Sequence, residues 1–432
     1  MSRLAFLSPL PPAATGIADY SAEVLALLAP RHEIDVFHDQ PRVDERRLPE
    51  GCAVHPAGEF VARHAERAYD VAIYQMGNSR AHAFLYPLLA RVPGLLVLHD
   101  LVLHHARARE FLESEEALAY KANPGDEGLR DRLRSRLRAY SDEIAYTYPA
   151  QAGRLDEAHL ATVGDLLPYA YPLVRLPVEA SRVTAAHNAF VLEAVREEVP
   201  GAETVRIPMP VEGTPVPPEA VTALRESYDI APGDFVIGAF GLLTREKRIE
   251  TVARAVGRAA ALLPHLRLLL VGPVADRAAL ERALARAGVL RRTIIAGRVP
   301  FWTLPAHIEA ADLVAHLRYP TARETSAALL RVLAQGRPTL ISDLEHLADV
   351  PEDVVLRADV TDEEGELLRT VLRLADDFRA RIRLGQRARA FVKRAHAPAR
   401  CLEAYEAAID AARRRPDPQP GRWPAHWAAL RT

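Results

Sequence analysis

The residues 318–343, Arg318-Tyr-Pro-Thr-Ala-Arg-Glu324-Thr-Ser-Ala-Ala-Leu-Leu-Arg-Val-Leu-Ala-Gln-Gly336-Arg-Pro-Thr-Leu-Ile-Ser-Asp343, place an acid at the mouth of a helix that runs into a strand. Ala327 to Ala334 are good helix formers, Thr325 and Ser326 are capping types, and Gly336 with Pro338 stops the helix before a β-rich run. A helix starting near Thr325 turns free amide N–H groups and the positive end of its dipole toward the preceding loop, which suits an anion and above all a phosphate. Glu324 beside it can accept hydrogen bonds from the hydroxyls of a neutral sugar. The two together suggest a nucleotide sugar.

Other groups fall where strands should end. Ser8-Pro-Leu-Pro-Pro-Ala-Ala-Thr-Gly16-Ile-Ala-Asp19-Tyr-Ser is a strand-to-helix loop with one glycine. Gly16 there permits close backbone approach to a phosphate or sugar, and reads equally as a plain requirement of the turn. The loop is not Gly-x-Gly-x-x-Gly, so no dinucleotide cofactor is indicated. Phe240-Gly241-Leu-Leu-Thr-Arg245-Glu-Lys247-Arg248 sets three cations at one strand end, fit to neutralise a diphosphate; a solvated helix start is the rival reading. Lysine occurs only at positions 121, 247 and 393, so Lys247 stands out.

His99 and Asp100 close the apolar run Leu95 to Leu98, and His104 and His105 follow a turn later. The spacing matches no strong zinc motif, so no metal is expected. His99 at a strand end reads as a group that orients a substrate hydroxyl or stabilises charge, against the rival of a satisfied core histidine. His187 and Asn188, after Val183-Thr-Ala-Ala, stand at a comparable edge, and with Asp19 and Asp100 are candidates for the acceptor side. Arg130, Arg132, Arg134, Arg136 and Arg138 alternate around Leu129, Leu133, Leu137 and Tyr140. That run reads as a solvated helix face, while leaving room for peripheral membrane contact.

These groups need a scaffold. At 432 residues the chain exceeds one compact core and predicts two domains of roughly 200 residues each. With 49% apolar and 26% charged residues and a net charge of −2, it reads as an ordinary enzyme and not as a nucleic-acid-coating or disordered chain. Cys52 and Cys401 are lone, which argues against a disulfide framework, and no signal-length or membrane-length apolar run occurs; a cytoplasmic location is expected. Short apolar runs alternate with helix-like runs throughout, the pattern of parallel sheets with crossover helices. It restarts after the Pro-rich segment Ile207 to Pro218. The expectation is an α/β chain of two doubly wound Rossmann-like domains facing across a cleft, at 1–210 and 211–400, with a helix and tail at 401–432 crossing back to the first.

Taken in order, Pro11-Pro-x-x-x-Gly16-Ile-Ala-Asp-Tyr-Ser, Gly77-Asn-Ser, Leu98-His-Asp100, Gly241 with Lys247-Arg248, Gly297-Arg-Val, Ala311-Asp-Leu with Leu317-Arg, and Glu324-Thr-Ser resemble the retaining GT-B glycosyltransferases of family 4, over Leu4 to about Glu406. The resemblance implies that Lys247, helped by Arg248 and Arg245 beside Gly241, holds the donor diphosphate, which amides near Thr325 and Ser326 cap. It also implies that Glu324 binds donor-sugar hydroxyls and that His99 and Gly16 line the acceptor side. Two positions depart from the family: the second glutamate, eight residues after the first, is Val332, and the arginine after the strand-end glycine is Leu242. The departures suggest a subfamily.

The implied reaction moves a hexosyl group from a nucleotide diphosphate sugar to a hydroxyl of a glycan, lipid-linked or small-molecule acceptor, with retention and without a metal. Nucleic acid is not a partner. The alternatives are a nucleotide-sugar epimerase or sugar phosphorylase on the same fold, and a nucleotide-sugar-binding protein without catalysis.

Overall fold

The computed structural model describes residues 1–113, 115–123, 125–154, 167–419 and 421–431. The chain divides into two compact units: residues 1–210 with 322–325 and 399–432, and residues 211–321 with 326–398.

The first unit is built on a parallel seven-stranded sheet in the order β3-β2-β1-β4-β5-β6-β7. The strands are β1 (Arg3–Leu7), β2 (Glu33–His38), β3 (Ala53–Pro56), β4 (Val71–Met76), β5 (Leu95–Leu98), β6 (Val183–Ala186) and β7 (Thr204–Arg206). Leu4, Phe6, Ile73, Leu95, Leu96 and Val97 are wholly buried, as strands covered on both faces by helices must be. The edge strands β3 and β7 are partly exposed, short, and without an apolar run, so the sequence does not announce them.

The second unit is a parallel six-stranded sheet in the order β10-β9-β8-β11-β12-β13, all neighbours running the same way. Its strands are β8 (Phe235–Phe240), β9 (Leu266–Val271), β10 (Thr293–Gly297), β11 (Leu313–His316), β12 (Thr339–Ser342) and β13 (Leu356–Ala358). The helix Ala327–Ala334 joins β11 to β12 and ends at Gly336, whose φ of +68° only glycine adopts without cost.

Order reverses beside β1 in the first sheet, where β4 lies opposite β2, and beside β8 in the second, where β11 lies opposite β9. In open parallel sheets the loops leaving the carboxyl ends at such a reversal part in opposite directions and leave a crevice for ligand. The loops so placed carry Gly16 and Gly77 in one unit, and Gly241 and Arg318 in the other.

The arginine-rich helix Glu127–Thr147 resolves its own ambiguity. Leu133, Leu137, Tyr140 and Ile144 pack with Phe111, Leu112 and Tyr120 in a satellite core, so the apolar stripe is consumed inside the unit. Arg130, Arg134 and Arg138 face solvent, whereas the side chains of Arg132 and Arg136 lie outside the described residues. No described helix is long and apolar enough to cross a membrane.

The same helix supplies Glu143, 2% exposed, to a buried charge cluster. Arg107, stacked over the ring of Tyr86 at 4.4 Å, donates to both carboxylate oxygens of Glu143, which also accepts from Trp427 Nε1 at 2.7 Å and pairs with His426 Nε2 at 2.9 Å. The carboxyl-terminal segment is thus tied into the unit through one carboxylate. Burial alone would raise the Glu143 pKa; the Arg107 guanidinium and the hydrogen bonds from His426 and Trp427 overcome it and hold the carboxyl at about 2.

Glu143→Gln should cost the first unit up to about 3–5 kcal/mol, because buried Arg107 loses its bidentate partner and keeps only the partly exposed Glu110 as counter-charge. The folded pKa lies below the ordinary glutamate value of 4.5, so this contribution is complete above that pH and lost as pH falls toward 2. Urea unfolding followed by the fluorescence of the buried Trp423 and Trp427 should show a wild-type decline across that window and a flatter profile in the variant.

Candidate active site

In the second unit β8 ends at Phe240, and Gly241 turns the chain with φ +106°. A Cβ there would lie 3.6 Å from Lys247 Nζ and 3.7 Å from the Cβ of Ala328. The strand end, the ammonium and the first turn of helix Ala327–Ala334 therefore converge on one small space, which any side chain at 241 would fill. Lys247 closes the turn Arg245–Lys247 and is 8% exposed. A desolvated ammonium beside a helix amino terminus offers an anion full charge and directed N–H donors together. Ser326 is the N-cap, its hydroxyl accepting from Leu329 N at 3.3 Å.

The other two cations of the motif behave differently. Arg245 is exposed. Arg248, with φ +56°, donates from Nε to Glu363 Oε2 at 2.7 Å. Glu363 also accepts from the hydroxyl of Ser342, which accepts from Arg318 N at 2.9 Å. Arg248 is thus committed to a buried carboxylate that the sequence reading did not identify, and its charge is largely spent in tying the β8, β11 and β12 loops together. His316 on β11 is 4% exposed; burial, then the charges of Lys247 and Arg318, push its pKa well below the usual value, so it stays neutral beside the cation. Leu242 is 52% exposed at the strand end, and Val332 is wholly buried with Phe240, Val271, Ile308 and Val314. Position 332 thus faces core, and no ribose contact can come from it.

In the first unit Gly16 begins the helix Gly16–Leu28, with Thr15 Oγ1 accepting from Ala18 N at 3.0 Å. A Cβ at Gly16 would meet nothing within 4 Å, so the protein's own packing does not require glycine there. Asp19 pairs with Arg47 at 2.9 Å, and Asp100 Oδ2 accepts from Asn78 N at 2.8 Å.

His99 and His187 meet at the carboxyl ends of β5 and β6, with Tyr20 edge-on to both at 4.6 and 5.2 Å. His187 Nδ1 donates to Ile207 O at 2.8 Å, its Nε2 lies 3.2 Å from His99 Nδ1, and His99 Nε2 lies 2.8 Å from the side-chain amide of Gln75. Gln75 continues to the Tyr405 hydroxyl at 3.1 Å, and Tyr405 to Tyr20 at 2.8 Å. Burial first, and then His187 and His82, hold the His99 pKa well below the usual value. The Gln75 oxygen faces His99 Nε2, its NH₂ donates to the Tyr405 hydroxyl, and the Tyr20 hydroxyl closes on Tyr405. Both ring nitrogens of His99 are therefore engaged within the protein. Gln75 was detectable in sequence as a polar residue inside an apolar strand; Tyr405, 330 residues away, was not.

Asn188 accepts from Val191 N at 2.9 Å and donates to Arg323 O and Thr325 Oγ1, both at 3.1 Å. Thr325 thus accepts from Asn188 on its hydroxyl, and of the two capping types Ser326 is the one that caps the helix Ala327–Ala334. His104 bonds Tyr171 O and the Tyr140 hydroxyl, both at 2.6 Å, and His105 Nδ1 lies 3.1 Å from Asn78 Nδ2. Among the described residues no group of three or more His, Cys, Asp or Glu side chains could hold a metal. A cavity of about 280 Å³ lies by contrast at the amino edge of the first sheet, before β6 and β7. Its arginines are paired, Arg182 with Asp417 at 2.8 Å and Arg415 with Glu203 at 2.7 Å, so it offers no counterpart to the strand-end site.

Residues 234–377 match the family described as Glycosyl transferases group 1. No curated protein matches the chain in sequence. Among solved structures the fold is similar to Anabaena HepE in complex with UDP-glucose, with 15% identity over 95% of this chain and 100% of that one and a TM-score of 0.66. It is also similar to sucrose-phosphate synthase of Thermosynechococcus elongatus, at 17% identity, 95% and 99% coverage and a TM-score of 0.64. WaaG, a glycosyltransferase involved in lipopolysaccharide biosynthesis, aligns at 13% identity over 95% and 99% with a TM-score of 0.60. The architecture is that of the GT-B glycosyltransferases.

Gly272 follows β9 with φ +142°, and a Cβ on it would come 1.9 Å from the carbonyl oxygen of Gly241. Gly272→Ala must displace Gly241 as well as strain its own backbone, at a cost of about 1–3 kcal/mol for the strain alone. A lowered urea midpoint for the second unit is expected; an unchanged midpoint would mean that Gly241 is not held where it is described.

Proposed function

We propose that the protein is a retaining glycosyltransferase that moves a hexosyl group from a nucleotide diphosphate sugar to an acceptor hydroxyl. The observation that carries the reading is the convergence of Lys247 Nζ, Gly241 and the first turn of helix Ala327–Ala334, inside the segment 234–377 that matches Glycosyl transferases group 1. A buried ammonium and a helix amino terminus are the groups that a departing diphosphate needs.

In this reading the bond between the anomeric carbon and the β-phosphate oxygen breaks, and the electron pair leaves on the diphosphate. Lys247 and the amides beyond Ser326 meet that charge, with Arg245 as an outer cation; such preorganised electrostatic stabilisation commonly supplies the largest part of the rate. The acceptor oxygen bonds to the anomeric carbon on the same face and gives its proton to the departing phosphate. Glu324 holds donor-sugar hydroxyls. With Lys247 and the helix end neutralising the diphosphate, the step needs no metal. The acceptor lies on the first unit, near Gly16 and Asp19, where the space beside Gly16 is open. His99, with both nitrogens engaged, shapes that edge through the Tyr20–Tyr405–Gln75–His187 network and transfers no proton. Buried Val332 and exposed Leu242 leave recognition of the nucleoside to backbone and to other side chains.

The HepE complex makes UDP-glucose a sensible first probe. In EDTA, Lys247→Met should weaken UDP binding by about 10–100-fold, the value of one charge-assisted hydrogen-bond partner. Glu324→Ala should lower release of UDP from UDP-glucose by about 100-fold while changing UDP affinity little, since its contacts are to the sugar. Full activity in the Glu324 variant would sink the assignment. Binding without turnover in the wild type would favour a nucleotide-sugar-binding protein, and a rearranged sugar without an acceptor would favour an epimerase.

A further inference from the structure

Residues 322–325 belong to the first unit although the chain on either side of them belongs to the second. Hydrogen bonds with described residues of the first unit hold them there. Leu101 N and Val102 N donate to Ala322 O at 2.9 and 3.3 Å, and Arg323 Nη1 donates to Tyr169 O at 3.2 Å. The Asn188 amide spans the residues on both sides of Glu324, donating to Arg323 O and to Thr325 Oγ1 at 3.1 Å each.

We infer that Asn188 is a positioning residue that fixes Glu324 by clamping its two neighbours; the inference rests on the reading above that Glu324 meets the donor sugar. Asn188 is 4% exposed, so its hydrogen bonds are sheltered from competing water. Arg323 has φ +61°, a left-handed conformation that a non-glycine residue keeps only where its surroundings impose it. The bond from Asn188 to its carbonyl is one of those impositions.

The residue type supports the assignment. Asn188 is also the N-cap of the helix Ala189–Glu198, its Oδ1 accepting from Val191 N at 2.9 Å. Asp, Ser and Thr would cap the helix as well. Asn alone among these caps with an oxygen while presenting an NH₂ with two donors, and both donors are spent on the Glu324 loop. A residue selected for capping alone would have no need of the amide nitrogen.

Asn188→Asp separates the two duties, because it keeps the cap and turns a carboxylate oxygen toward the carbonyl of Arg323. The melting midpoint should fall by a few degrees only, since Asp keeps the cap and the carboxylate facing the Arg323 carbonyl is relieved as the loop detaches into water. The Leu101 and Val102 amides, protected by Ala322 O, should exchange about 10-fold faster with deuterated water as the loop detaches. Turnover of UDP-glucose should fall about 10-fold in kcat with UDP affinity held within about twofold, the pattern of a misplaced sugar contact. Thr325→Val, which removes one acceptor and leaves the cap untouched, should shift exchange and kcat in the same direction by a smaller factor. Unchanged exchange and unchanged kcat in Asn188→Asp, or in Thr325→Val should the first variant fail to fold, would overturn the inference. If wild-type protein turns over no UDP-glucose, it is the glycosyltransferase reading for that donor that fails, and the exchange rates alone then support or overturn the clamp.

Discussion

Parallel strands send their carboxyl ends to one edge of a sheet, and where strand order reverses, the connecting loops part and leave room there. Each unit has one such reversal, beside β1 and beside β8. The loops that leave β1, β4, β5 and β6 carry Gly16, Asn78, His99, Asp100, His187 and Asn188, and those that leave β8 and β11 carry Gly241, Lys247 and Glu324. Residues far apart in sequence are gathered because the backbone leaves them no other place to emerge.

Charge is handled in two opposite ways. At Glu363 and Glu143, buried carboxylates meet guanidinium groups within the fold, and the pairs serve to tie elements together. At the first-sheet edge, burial keeps His99 neutral within a hydrogen-bonded chain of five side chains. Lys247 stands between these cases, desolvated at a strand end where a glycine leaves space. An incoming anion there meets the ammonium and the amino end of helix Ala327–Ala334 together, and the reading above rests on that convergence.

Much of the framework could be read from sequence because it is locally coded. Phe235 to Phe240 and Thr339 to Ser342 are short apolar runs rich in β-formers, and Ala327 to Ala334 is a run of helix formers closed by Gly336. The strands β3, β7 and β13 were not readable, being three or four residues long and partly exposed. The site was legible in part. A scarce lysine next to a strand-end glycine signals itself, but the spending of Arg248 on Glu363 is a contact across 115 residues. The resemblance marks position 332 as a departure, a valine where the family has a glutamate, and its helical phase turns that valine into the core. Asn188 offered only its capping chemistry, because its other partners lie 135 and 137 residues away.

The central claim is that Lys247 receives the diphosphate, and the scarcity of lysine allows a direct measurement. With lysines only at 121, 247 and 393, a protein labelled with ¹⁵N-lysine gives few side-chain ammonium signals, assignable by single substitution. Titration with UDP in EDTA should shift the Lys247 Nζ resonance saturably and leave the other two in place. Saturable binding of UDP with an unmoved Lys247 signal would contradict the account.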